Sequence, residues 1–180
     1  MQEKTIWKGK NQKNCNYAKI QKEAVKIQKS KKATSSQKII TLLNCVPNFI
    51  GCFAENEISQ RSFQTFPCFL IVNIDHSSMP GSHWLALGVF KDRVEIFDPL
   101  GFKFLNWSYI PCHLLKLLHR LSLSRRVVIS KQIQSDQSVL CAFYCIYYCV
   151  FRSSLSFSKL CQPFKHQLER NDKILIKLFS

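Results

Sequence analysis

Residues 83–98 read HWLALGVFKDRVEIFD. His83 to Phe90 is an apolar run rich in strand formers, and Lys91-Asp92 is a two-residue polar turn. Arg93 to Phe97 then returns with period-2 alternation, so residues 83–97 are expected to form a β-hairpin. Asp98-Pro99-Leu100-Gly101 ends it, because Pro99 has no N–H to give to a ladder. Antiparallel pairing across the turn brings the two open ends of the hairpin together, and those ends carry His83 and Asp98.

The neighbouring chain supplies further elements. Cys68 to Ile74 (CFLIVNI) is an apolar strand, and Asp75 to Ser82 is a loop with Pro80 and Gly81. Apolar residues at helical spacing predict a helix over 109–121, with Pro111 in its first turn. Arg126 to Ser130 is a short strand. Val139 to Phe151 is apolar all round, which predicts a buried helix with Ser138 as N-cap. Residues 165–179 suggest a last amphipathic helix. Strands and helices mix without βαβ alternation, so the expected class is α+β: a mainly antiparallel mixed sheet packed with helices.

The chain has 180 residues and a net charge of +15, of which residues 1–38 hold +9 in eleven Lys against two Glu. That segment reads as a flexible basic extension, partly an amphipathic helix with Lys19, Lys22, Lys26 and Lys29 opposite Ile20, Ala24 and Ile27. Ser30 to Gln37 reads as its linker, and the folded domain is placed at 39–180. Fourteen Phe and long apolar runs exclude wholesale disorder, and the charge favours a polyanionic partner, nucleic acid first. Nine cysteines are an odd number, several lie inside apolar runs, and residues 1–10 contain no apolar secretion signal. The expected setting is therefore intracellular and reducing. The longest apolar stretch, 139–151, is too short for a bilayer, so no membrane partner is expected, and the protein is expected to be a monomer.

A cysteine nucleophile needs an imidazole beside it, a third group to orient that imidazole, and donors for the oxyanion. A helix N-terminus under the sulfur favours the thiolate. Cys141 meets the last condition: it follows the polar loop 134–138 and lies in the first turn of the predicted buried helix. Cys145 and Cys149, at i+4 and i+8, read as core packing. His76 reads as a solvated loop residue, His113 and His119 as surface positions on the Leu-rich helix, and Cys161 with His166 as too few ligands for zinc. No metal is expected.

In order, the chain presents His83-Trp84, an apolar strand, Phe97-Asp98-Pro99-Leu100-Gly101-Phe102, and Gln134 seven residues before Cys141. This resembles the adenovirus protease (adenain) family and, more broadly, the clan that includes the SUMO and ubiquitin-like deconjugating proteases. Ile71-Val72-Asn73 and Phe49-Ile50-Gly51 add weaker matches, and the similarity covers residues 45–151. It implies His83 as general base, Asp98 as its orienting carboxylate (glutamate in adenain, aspartate in the cellular relatives) and Cys141 as nucleophile. Gln134 would be the oxyanion donor.

The implied activity is a cysteine endopeptidase processing viral or mobile-element proteins, in the host nucleus or virion, with a polypeptide substrate. The resemblance also implies DNA as cofactor, reached through the basic extension, and a peptide activator. Adenain bonds its peptide through a cysteine shortly upstream of the glutamine. Ser122 to Gln132 has none, which argues against a disulfide-linked activator, although Cys112 lies nearby, and leaves a non-covalent one. Ala142 stands where the family has Gly; it is harmless if helical and costly if that position needs positive φ. Two alternatives follow: a silent relative acting as a basic nucleic-acid-binding or scaffolding protein, and a SUMO/ubiquitin-like deconjugating protease.

Overall fold

The computed structural model describes residues 15–101 and 110–180. Five strands form one sheet in sequence order: β1 (Phe49–Ala54), β2 (Cys68–Asn73), β3 (Trp84–Val89), β4 (Arg93–Phe97) and β5 (Arg126–Ile129). The hairpin forms as expected, with Ala86 opposite Phe97 and Val89 opposite Val94, and Phe90 N–H donates to Arg93 O across the turn at 2.8 Å. The class is α+β, but the sheet is mixed rather than mainly antiparallel. The β2–β3 and β3–β4 pairs are antiparallel, whereas the outer β1–β2 and β4–β5 pairs are parallel.

Helices cover both faces, which is why β2 and β3 are buried at every residue and apolar throughout except for Asn73 at the end of β2. On one face α3 (Cys112–Ser122) packs Leu114, Leu117, Leu118 and Leu121 against Leu70, Val72, Leu85, Leu87 and Ile96. On the other lies α4 (Cys141–Phe151), against Phe69, Ile71, Ala86 and Phe97. Two short helices, α5 (Phe157–Cys161) and α6 (Asn171–Leu178), complete this layer. The last helix is shorter than the expected 165–179, with a 3-10 turn at Leu168–Arg170 before it. The expected helix start at 109 falls outside the described residues, and the helix begins at Cys112.

The reading of residues 1–38 as an extension outside the domain is corrected for its described part. Helix α1 (Tyr17–Ser30) buries Ile20 and Ala24 in the same core as α4, and Tyr17 stacks on Phe151 at 5.8 Å between ring centroids. Asn16 caps α1 by accepting from Lys19 N–H at 2.8 Å, and Lys31, in the left-handed region at φ 52°, ends it. The supposed linker is a connection only over residues 31–35: Ser30 is the last residue of α1, and α2 (Ser36–Leu43), capped by Ser35, buries Ile39, Leu42 and Leu43. Lys38 pairs with Glu23 at 3.0 Å, joining the two helices. The small apolar side of α1 and the abundance of lysine concealed this docking, because a three-residue apolar stripe is compatible with either state. Residues 1–14 lie outside the described residues.

Cys15 and Cys45 are joined in a disulfide, which corrects the expectation of a wholly reduced chain; the other seven cysteines are free. Among the described residues no helix is long and apolar enough to cross a membrane.

A buried ionic network sets how α4 lies on the sheet. Glu95 on β4 accepts from Arg152 Nε at 2.6 Å, Arg152 Nη2 at 2.7 Å, Tyr148 Oη at 2.8 Å and Arg93 Nε at 2.8 Å. Burial pushes the Glu95 carboxyl up, but the two guanidinium groups outweigh it and hold the carboxyl below its ordinary range. Gly88 is opposite Glu95 in the ladder, and a Cβ there would sit 2.0 Å from the Tyr148 hydroxyl. Glycine is therefore what lets Tyr148 reach the carboxylate.

Candidate active site

The open end of the hairpin carries the pair the sequence pointed to. His83 Nε2 lies 2.7 Å from Asp98 Oδ1, and both residues are buried. Asp98 is held from several sides. Its N–H donates to Ser130 Oγ at 2.9 Å, and the same hydroxyl donates to Asp98 O at 2.8 Å. Leu100 N–H donates to Asp98 Oδ1 at 2.9 Å, closing the turn that Pro99 starts. The carboxylate thus meets the imidazole in one orientation.

Cys141 is the first residue of α4 and half-buried. The expectation that Ser138 caps this helix is corrected: it lies in the preceding turn, where its Oγ accepts from Leu140 N–H at 3.2 Å. The sulfur thus sits at the helix N-terminus itself, where amides lack partners within the helix. With Nε2 engaged by Asp98, Nδ1 is the nitrogen left for Cys141. Burial lowers the pKa of His83. Hydrogen bonds to Asp98 and Cys141 and the negative charge on both outweigh it, raising the imidazole to about 9.

Gln134 is buried, and its Nε2 donates to Ser138 O at 2.9 Å. Its Oε1 is buried without a hydrogen-bond partner among the described residues. The Asp98–Gly101 turn holds this glutamine's loop directly: Ile133 N–H and Gln134 N–H both donate to Pro99 O, each at 2.9 Å. Gly101, at φ +80°, faces the Gln132 backbone so closely that a Cβ would lie 2.5 Å from Gln132 N. Segments far apart in sequence therefore form one structural unit. The turn's last motif residue, Phe102, lies outside the described residues.

Ala142 is helical and buried and does not have positive φ, so its Cβ meets no backbone conflict there. Cys145 and Cys149 are fully buried, and burial pushes both thiols well up. Cys145 Sγ donates to Trp84 O at 3.3 Å, one residue from His83. Cys145 thus packs the helix against the hairpin, and Cys149 lies in the same core.

His83, Gln134 and Cys141 line a cavity of about 610 Å³ that also borders Thr34, Asn73 and Gly81. The α1–α2 connection is part of its wall, tied down by Trp84 Nε1 donating to Thr34 O at 3.1 Å. A Cβ on Gly81 would fall 2.1 Å from Asn73 Nδ2, so glycine keeps the 75–82 loop against the end of β2.

Residues that the sequence reading did not single out hold the site from behind. Asp172 Oδ1 accepts from Ser138 Oγ at 2.8 Å and from Tyr144 Oη at 3.0 Å. Asn171 Nδ2 donates to Ile133 O at 2.8 Å and to Lys165 O at 2.9 Å. The N-terminus of α6 thus braces both the Gln134 loop and the first turns of α4. Nothing local in the sequence marks these two residues, since each acts only across the fold. His113, expected on the surface, is half-buried and contacts Glu55.

No model of a known protein family matches the chain, and no curated protein sequence matches it.

Proposed function

We propose that this protein is a cysteine endopeptidase whose nucleophile is Cys141. The observation that carries the reading is the succession Asp98, His83, Cys141 at the N-terminus of a buried helix, bordering the groove. In the proposed reaction His83 and Cys141 form an imidazolium–thiolate pair. The thiolate attacks the carbonyl carbon of the scissile peptide bond. The Cys141 amide and the Gln134 side-chain amide receive the oxyanion. His83 gives its proton to the departing amine, leaving a thioester on Cys141. Water, deprotonated by His83, attacks the thioester, the acyl product leaves as the carboxylic acid, and the imidazolium–thiolate pair is restored. The groove beside Cys141 is walled by residues of 31–36, 52–57, 73–84 and 134–141 together with Leu100, and a polypeptide substrate is what the adenain-type resemblance implies for it.

The helical placement of Ala142 removes the steric reason for a silent relative. The resemblance to adenain-type enzymes supports viral or mobile-element proteins as substrates and DNA as a cofactor. Exposed Lys19, Lys22, Lys26 and Lys29 on α1 offer a fixed basic stripe for such a polyanion.

The test pairs cleavage with thiol labelling. Wild-type protein, given a peptide library alongside ubiquitin-like fusions, is expected to cleave, and Cys141→Ala to lose turnover with its fold intact. Iodoacetamide followed by mass spectrometry should find Cys141 modified fastest among the seven free thiols, with that advantage lost in His83→Ala. Full activity in Cys141→Ala, or labelling of Cys141 indifferent to His83, would sink the assignment.

A further inference from the structure

The described residues contain one group of three metal-ligating side chains, and it lies outside the catalytic cluster. Glu55 opens a 3-10 turn (Glu55–Glu57) after β1, and Cys112 and His113 open α3. His113 Nδ1 is 3.0 Å from Glu55 Oε2 and 3.4 Å from Cys112 Sγ, and all three donor atoms lie within 4.8 Å of one another.

One nitrogen therefore faces two partners. If Nδ1 carries a proton, it satisfies the carboxylate and leaves the thiol to another role. If it does not, it accepts from the thiol and turns a lone pair towards a carboxylate. A proton serves one contact at a time, whereas a cation serves three converging lone pairs. Zinc bond lengths to sulfur, nitrogen and oxygen give tetrahedral ligand–ligand edges of roughly 3.4–3.6 Å, within a few tenths of an ångström of the two short separations here.

We propose that Glu55, Cys112 and His113 form a zinc-binding site with a water in the fourth position. Thiolate and imidazole select a borderline-soft transition ion over magnesium or calcium. Burial differs usefully across the set: Glu55 is buried, His113 is half-buried and Cys112 is exposed, so one ligand is anchored and the ion has an entry path. The Glu55 turn is itself fixed, because Glu57 Oε2 accepts from Ala54 N–H at 2.7 Å and Glu55 N–H donates to Asp75 O at 3.3 Å. The ion would clamp the end of β1 to the first turn of α3.

The experiment uses the full chain carrying Cys141→Ala, so that the candidate nucleophile is not the reporter. Cobalt(II) is titrated as a spectroscopic substitute, followed by zinc. One equivalent of cobalt should produce a thiolate-to-cobalt charge-transfer band, and zinc should remove it. Adding Cys112→Ser, an exposed position, should abolish the band. Adding Glu55→Gln or His113→Ala should weaken binding at least about tenfold, the scale on which even outer-shell partners matter. Zinc should also raise the melting temperature of the Cys141→Ala protein and leave that of the Cys112→Ser variant unmoved. Absence of the band, its persistence with Cys112→Ser, or unchanged affinity in both the Glu55→Gln and His113→Ala variants would overturn the site.

Discussion

His83 Nε2 and Asp98 Oδ1 lie 2.7 Å apart, 15 residues apart in sequence, because a single hairpin returns one to the other. The pairing fixes which imidazole nitrogen is left for the sulfur. Asp98→Asn keeps an oxygen for the Leu100 amide but removes the charge, and it lets the ring adopt the wrong tautomer. Turnover is expected to fall by roughly 10²–10⁴-fold, the range over which general acid–base groups and their orienting partners act. An NMR titration should find the His83 pKa lowered in the same variant. A normal rate with an unmoved His83 would remove Asp98 from the machinery.

The same pair sets a pH window for stability. His83 is raised from 6.5 to about 9 in the folded protein, with burial opposing and Asp98 and Cys141 prevailing. The folded state therefore holds this proton more tightly than the unfolded chain. Its contribution is fully present below 6.5 and is lost as pH rises towards about 9. Urea unfolding across that interval should lose on the order of 1–3 kcal/mol, less in Asp98→Asn. Catalysis should fall over the alkaline end of the same window as the imidazolium gives up its proton. Stability that rises from pH 6.5 to 9 would mean that His83 is neutral when folded.

Gln134 reaches the groove only because its loop hangs from Pro99 and is braced by α6. Gln134→Ala removes the proposed side-chain oxyanion donor while leaving the backbone bonds to Pro99 in place. The expected loss is in kcat, about 10²–10³-fold, with KM changing far less. A change confined to KM would assign Gln134 to substrate binding instead.

The hairpin, β2 and the buried helix were legible because each is a local pattern: a two-residue turn, a β-branched run, a continuous apolar stretch. His83, Asp98 and Cys141 stood out as candidates because the strand ends and the first turn of the helix bear chemically distinctive residues, whereas Gln134 stood out only through the resemblance to adenain-type enzymes. What was not legible depends on distance in sequence. The outer strand pairings are parallel, and no hairpin turn announces them. Ser130, Asn171 and Asp172 act through hydrogen bonds to residues 28 to 38 positions away. Helix α1 was visible as an amphipathic pattern, yet only tertiary packing decides whether Ile20 and Ala24 are buried.

That docking has a direct measure. Ile20 is 1 % exposed. Ile20→Ala should therefore destabilise the whole protein by about 2–5 kcal/mol in urea unfolding, as deletion of a core aliphatic does. A change near zero would return α1 to the status of a loose extension.

The basic charge then acquires a geometry. Lys19, Lys22, Lys26 and Lys29 recur at helical spacing on a helix whose opposite side is buried, and all four are exposed. A stripe held rigidly needs no ordering before it meets a phosphate backbone, unlike a flexible tail. Each lysine that neutralises a phosphate contributes close to one unit to the slope of log affinity against log salt on duplex DNA. Replacing Lys22, Lys26 and Lys29 by Ala should thus weaken binding across unrelated sequences and flatten that slope by up to about three. Cleavage of a short peptide without DNA should be unchanged, because none of the three lines the groove. An unaltered slope would place the DNA contact elsewhere on the chain, and affinity insensitive to salt would argue against a polyanion partner altogether.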